Sequence, residues 1–239
     1  KFEACPLQKR IKDCCHNLYI NPLPISIMKD QEIYQLIVAI IVLSIVISLK
    51  DLIKFDIINF LYALLFAFIV LGVNLIGKKV MASNLDAGVE HKIWHFYQTG
   101  FKEEEHLKKP IPLGIILPLA ISIISLGTVK FMAVLSYETT ALKRRAARRH
   151  GPFSFTEMTD WHNALIGAAG VIATLFLSFI TYFISGLEPL SRLAAFYAFF
   201  NMIPFSNLDG SQIFYGSRVL WYSLAIITLI FASYALLIP

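Results

Sequence analysis

Residues Ile57–Ile76 read IINFLYALLFAFIVLGVNLI, and Asn59 and Asn74 are the only amide side chains in the run. Its length matches the ~20 residues that a helix needs to cross a ~30 Å hydrocarbon core. Five similar blocks surround it: Ile33–Leu49, Ile111–Leu135, Ala164–Leu187, the short Leu193–Pro204 and Val219–Ile238. Lipid offers backbone groups no hydrogen-bond partner, so each block must be helical or shielded by protein. Hydrophobic residues make up 57% of the 239, charged residues 15%, and mean hydropathy is +0.66. A soluble domain has about 45–50% apolar and roughly 25% charged residues. The composition therefore implies an integral membrane protein crossing the bilayer several times. The first block is too long and too far into the chain for a signal peptide, and no small-residue cleavage site follows it. The sequence opens at Lys1 rather than a methionine, which leaves room for an earlier segment.

The polar remainder is basic, with a formal net charge of +5 and a pI of about 9.1. In a membrane protein basic loops set topology. If all six blocks span, Lys1, Lys9, Arg10, Lys12, Lys29, Lys78, Lys79, Lys92, Lys102, Lys108 and Lys109 share one side. Lys50, Lys54, Arg218 and the dense run at 143–149 face the other. The count favours a cytoplasmic amino terminus, and the dense run opposes it. That run is helix-favouring and is expected to continue the third block past the membrane. There it would anchor topology or meet anionic headgroups, at about 1 kcal/mol per cation; nucleic acid is not expected. Residues 1–28 form a tail holding Cys5, Cys14 and Cys15, and residues 29–239 form the membrane domain. Three thiolates and His16 could hold zinc. The adjacent Cys14-Cys15 pair lacks the usual spacing, which favours free or disulfide-paired thiols with one left over. Gly72, Gly77 and Gly88 are too scattered to cradle phosphate, and no serine has the local signature of a nucleophile.

The strongest local pattern is Asn201-Met-Ile-Pro204-Phe-Ser-Asn-Leu208-Asp209-Gly210, after the apolar run 193–200. An aspartate at the edge of hydrocarbon is expensive and is a functional candidate by default. Pro204 breaks a helix, and Gly210 permits a turn without a Cβ penalty. The bland reading of the same residues is a helix end with a capped turn.

The string resembles the N-x-x-P-x-x-x-L-D-G motif of the site-2 protease family of intramembrane zinc metallopeptidases. All five defining residues are present as Asn201, Pro204, Leu208, Asp209 and Gly210. The resemblance implies that Asp209 corresponds to the third zinc ligand, and that Asn201 and Pro204 lie where substrate is met. It extends to the archaeal branch, spans roughly Met28 to Leu237, and implies a multi-pass protein of a prokaryotic cell membrane. Gly167-Ala-Ala-Gly170 stands where that branch has its glycine-rich helix, without the Pro and Asn that accompany it. Ser211-Gln-Ile-Phe214 and Val219-Leu-Trp221 resemble the family's ending.

Active members carry H-E-x-x-H, whose two histidines bind zinc from one helical face while the glutamate activates water. No H-E-x-x-H occurs here. The alignment places the motif on Val73, Asn74 and Gly77, with Lys78 matching a basic residue that follows it. No metal and no catalytic residue are therefore expected. If zinc binds, Asp209 would be joined by His162, or by His91 and His95, four apart in a stretch expected to form an interfacial helix or hairpin. Carboxylates at Glu157 and Asp160 suit a helix amino terminus.

The expected fold is all-α and polytopic. It has about six transmembrane helices around a site-2-protease-like core, with short strands confined to loops around His91–Lys109. The turn Val73–Gly77 should approach the segment Asn201–Asp209. Asp209 should find a donor in Asn74 or in amides near Gly210, with the degenerate site filled by apolar packing or water. The leading expectation for function is a catalytically inactive protease-like protein. It would hold a membrane segment or partner in a retained groove within the bilayer. The alternatives are an active zinc metalloprotease with unusual ligands, and a small transporter with a midplane site at Pro204 and Asp209.

Overall fold

The computed structural model describes residues 30–53, 56–98, 106–142 and 158–237. Cys5, Cys14, Cys15, His16, the basic run 143–149 and Glu157 lie outside them. Four helices are long and apolar enough to cross a membrane. They are α1 (Asp30–Ile53), α2 (Ile57–Asn84), α4 (Asp160–Tyr182) and α7 (Arg218–Leu237). All four turn large apolar side chains outward, among them Ile37, Ile58, Phe176 and Leu237. An apolar belt of that extent suits hydrocarbon rather than water.

The two remaining blocks differ from the expected six spans. Helix α5 (Glu188–Asn201) has 14 residues, a rise of only about 21 Å. The third block is not one helix. It contributes α3 (Leu113–Ile124), a turn, and an extended stretch leading into strand β4 (Leu135–Ala141). Leu126 ends α3 with φ 50°. Its amide donates to the Ile123 carbonyl at 3.1 Å, and the Gly127 amide donates to Ser122 at 2.8 Å. This paired closure stops a helix in the left-handed region. The chain then returns extended through Met132, Ala133 and Val134, all fully buried. A short apolar run suits a buried strand as well as a helix.

Strand β1 (Ala87–Ile93) pairs antiparallel with β4, with His91 opposite Tyr137. Strands β2 (Phe96–Gln98) and β3 (His106–Ile111) form a second antiparallel pair. The fold is therefore mostly helical but not all-α. His91-Lys-Ile-Trp-His95 is strand and its exit, not helix. The basic run was expected to extend a helix; the described residues that lead to it, up to Ala141, are strand. On β1's outer edge the His91 and Ile93 amides donate to Glu32 and Gln35 of α1 at 3.3 and 3.2 Å. A helix thus supplies acceptors where a third strand would otherwise add.

Small residues let α2, α4 and α5 approach closely, as at helix contacts inside membranes. A Cβ on Gly77 would lie 2.7 Å from Ala173 Cβ and 2.9 Å from the Ala169 carbonyl oxygen. Ser178 of α4 and Ser191 of α5 donate to each other's carbonyls at 2.9 and 2.7 Å. Ser48 Oγ donates back to the Ser44 carbonyl at 2.7 Å, and α1 leaves helical geometry at Ser48. Such back-bonding bends helices. Gly77→Val is expected to destabilise the protein by about 1–3 kcal/mol through overpacking. Gly72→Ala, with nothing within 4 Å of the added carbon, should stabilise by about 0.5–1 kcal/mol through helix propensity. Denaturant titration in detergent micelles reads both.

Candidate functional site

Helix α2 runs past the apolar block to Asn84. That extension carries Lys78 into the protein rather than onto a loop. Its ammonium lies 2.6 Å from Asp209 Oδ2, and the two side chains are 2% and 1% exposed. Here α2 and the Asn201–Asp209 segment converge, one residue beyond the degenerate turn. The donor to Asp209 is thus neither Asn74 nor an amide near Gly210. Asn74 is buried, and its Nδ2 makes no hydrogen bond among the described residues.

Each element delivers its group for a local reason. Asp209 is the first residue of α6 (Asp209–Gly216), where a carboxylate is favoured by the helix dipole. Gly210 must be glycine, because a Cβ there would lie 2.2 Å from the Met202 carbonyl oxygen. Met202 closes α5, and its carbonyl also accepts from Trp221 Nε1 at 3.1 Å. The break at Pro204 is thereby held between α5 and α7. Gly170 of α4 gives Lys78 its room: a Cβ would lie 2.7 Å from Lys78 Cε and 3.0 Å from Asn74 Nδ2. Gly167 similarly admits the Tyr137 hydroxyl. The Lys78 ammonium sits 4.7 Å from the Tyr137 ring centroid, a cation–π contact strengthened by burial.

Tyr137 ties the sheet to the helices. Its hydroxyl donates to the Asn163 carbonyl at 2.7 Å, and its own carbonyl accepts from Gln212 Nε2 at 2.9 Å. Burial first, and then the Asp209 charge, push its hydroxyl well above the usual phenol range. It therefore stays protonated. Asn201 and Tyr197 are buried on the α5 side. Beyond the break, Phe205 is half-exposed. It meets Trp94 edge-on at 5.6 Å and stacks on Phe96 at 6.3 Å.

The histidines go elsewhere. His91 Nδ1 lies 3.1 Å from Glu32 Oε1, and Lys79 Nζ lies 3.4 Å from the same oxygen. His95 Nδ1 faces the Ile93 carbonyl at 2.5 Å. His162, in the first turn of α4, pairs with the Thr159 hydroxyl. Among the described residues no three His, Cys, Asp or Glu side chains are gathered as a metal set would be. Asp209 is met by Lys78, not by His162, His91 or His95. The sequence had marked Asp209 and Asn201. It had not marked Lys78, Tyr137 or Glu32 as partners, and the one available signal was a lysine inside a helix that outlasts its apolar block.

The arrangement can neutralise a buried carboxylate with a built-in cation. Removing one member of such a pair costs about 3–5 kcal/mol, whereas replacing both with apolar groups is often neutral. Lys78→Met and Asp209→Asn should therefore each destabilise by about that amount, and Lys78→Met with Asp209→Leu by less than either. Additive losses in denaturant titrations would show the charges uncoupled.

His91 gives a pH dependence. Burial first, and then the Lys78 and Lys79 charges, lower its pKa from 6.5 to about 4, against the raising effect of Glu32. The unfolded chain then binds more protons between those values, so stability is full above pH 6.5 and falls towards pH 4. The loss attributable to His91 is up to about 3 kcal/mol. Unfolding at pH 7 and pH 4.5, with His91→Gln as the variant lacking this slope, measures it.

No family model matches the chain, and neither does any curated protein or solved structure.

Proposed function

We propose that this chain is a multi-pass membrane protein resembling the site-2 proteases, that it does not hydrolyse peptides, and that it binds a membrane segment or partner. The observation that carries the reading is the Lys78 ammonium, 2.6 Å from Asp209 and buried with it. In the family that the sequence resembles, the matching aspartate faces a dication. Here a fixed monovalent cation from the chain itself faces it. Zinc chemistry needs about three protein ligands and an open position, and an ammonium beside the carboxylate would repel the metal. Among the described residues no glutamate is placed beside Asp209 to take a proton from water. General-base catalysis is worth about 10²–10⁴-fold, and without metal the nucleophile is also lost.

The interrupted segment at Pro204 keeps a binding role available. Phe205, in the segment that leads to Asp209, forms an aromatic shelf with Phe96, and aromatic surface of this kind is what partner segments use as anchors.

One observation favours the transporter reading as second. Helix α3 and its extended return form a second interrupted element, and its Leu113, Leu117 and Phe131 pack with Trp94, Ala133 and Leu208 at the α5–α6 break. Facing broken elements around a buried charge are a transporter device. Solute or proton flux into proteoliposomes distinguishes it.

Detergent-purified protein should contain no stoichiometric zinc and leave membrane-spanning test peptides uncut. Metal analysis and a cleavage assay, with Asp209→Ala as control, check this. Chelator-sensitive cleavage that disappears in Asp209→Ala would overturn the reading.

A further inference from the structure

The buried pair is one end of a longer run of ionisable groups. His91 stands opposite Tyr137 across the sheet. The His91 amide and the Tyr137 carbonyl both point away from that pairing, to Glu32 and Gln212. The two residues are therefore a non-hydrogen-bonded pair, the kind whose Cα atoms lie about 4.5 Å apart with side chains on one face. On that face the Lys78 ammonium sits 4.7 Å from the Tyr137 ring centroid, and its charge reaches His91. Beyond His91 come Glu32 Oε1, 3.1 Å from Nδ1, and Lys79 Nζ, 3.4 Å from that oxygen. Burial eases along the run, from 0% exposure at Asp209 and 1% at His91 to 15% at the Lys79 side chain. The run thus leads from the interior towards water.

His91 is placed to work from both ends of its ring. Nδ1 faces a carboxylate oxygen, which sets the ring proton there and leaves Nε2 a bare acceptor. Nε2 is buried and has no hydrogen-bond partner among the described residues. Burial keeps the ring neutral at pH 7. The ionisable groups around it are Glu32 from α1, Lys78 and Lys79 from α2, and Tyr137 from β4. Lys92 and Glu138 pair on the other face of the sheet. Lys79 is engaged at Glu32, and the Tyr137 hydroxyl donates to the Asn163 carbonyl. Lys78 is left as the group with a proton to offer Nε2. Its ammonium has three donors on a flexible four-carbon stem.

We infer that His91 is a proton relay, connecting the buried Lys78–Asp209 pair to water at the Glu32–Lys79 end. In one transfer Lys78 gives a proton to Nε2 while Nδ1 gives its proton to Glu32. That leaves a neutral amine, a neutral imidazole in its other tautomer and a carboxylic acid. Glu32 exchanges the proton with water, and the reverse transfer returns one to Lys78. The ring need not rotate. The relay depends on the buried pair and not on the protease resemblance.

Proton exchange between the Lys78 ammonium and water tests it. NMR of the ¹⁵N-lysine-labelled protein in micelles reads the rate, and Lys78→Met identifies the signal. His91→Ala and Glu32→Gln should each slow the exchange by about 10²-fold or more, the ordinary weight of a positioned proton-transfer group. Imidazole added to His91→Ala should restore it. Pyrrole should not, because it has the same shape and no acceptor nitrogen. Backbone amide exchange in α2 and a thermal melt identify a variant that has loosened or failed to fold. His91→Phe, which keeps the ring's volume, carries the test if His91→Ala is such a variant. Unchanged or faster exchange in folded His91→Phe, or rescue by pyrrole as well as imidazole, would overturn the inference. Neither result touches the zinc and cleavage measurements, so the two proposals fail separately.

Discussion

A carboxylate buried completely within the protein sets the terms for the centre of this molecule. Asp209 is fully buried, and an isolated buried charge is too costly to persist. Everything nearby serves its compensation. Lys78 must reach it, so α2 must remain helical beyond its apolar block. The lysine stem must lie flat, so α4 must be bare at Gly170. The ammonium needs a wall, and the Tyr137 ring supplies it, which in turn fixes where β4 sits. One charge thereby dictates the spacing of two helices and a sheet.

Such a pair contributes little net stability compared with an apolar replacement of similar volume. What it contributes is register. The 2.6 Å contact is met at one rotation and one depth of α2 against α6, and an apolar seam alone would tolerate sliding. Ser178 and Ser191 fix α4 against α5 in the same way, through reciprocal bonds that no shifted arrangement can keep. Polar contacts therefore decide which of many greasy packings is adopted, while dispersion and apolar burial hold it together.

The long helices were legible because nothing competes with a helix over 20 or more apolar residues in hydrocarbon. The third block misled because Ile111–Leu135 is largely apolar, yet its last residues, from Met132 to Leu135, are buried in protein. Composition alone does not separate that environment from lipid. At His91 and His95 the sequence left helix and hairpin both open, and the stretch is a strand and its exit. Spacing of four suits one face of a helix, but in a strand it also returns to the same side, with the residues about 13 Å apart. At the site, Asp209 and Asn201 could be read from a local motif. Lys78 and Tyr137 could not, because their roles exist only once distant segments meet.

The capping of β1 by α1 bears on the order in which the chain assembles. Glu32 and Gln35 precede β1 in the sequence, whereas its strand partner β4 follows only after α3 and its return. During synthesis β1 emerges with one of its two edges already able to find acceptors, and the other must wait for more than forty residues of chain to be made. Exposed strand edges invite wrong pairing, and late, long-range closure prolongs that exposure. The helix that comes first thus offers cover for one edge of β1 before its strand partner has been made.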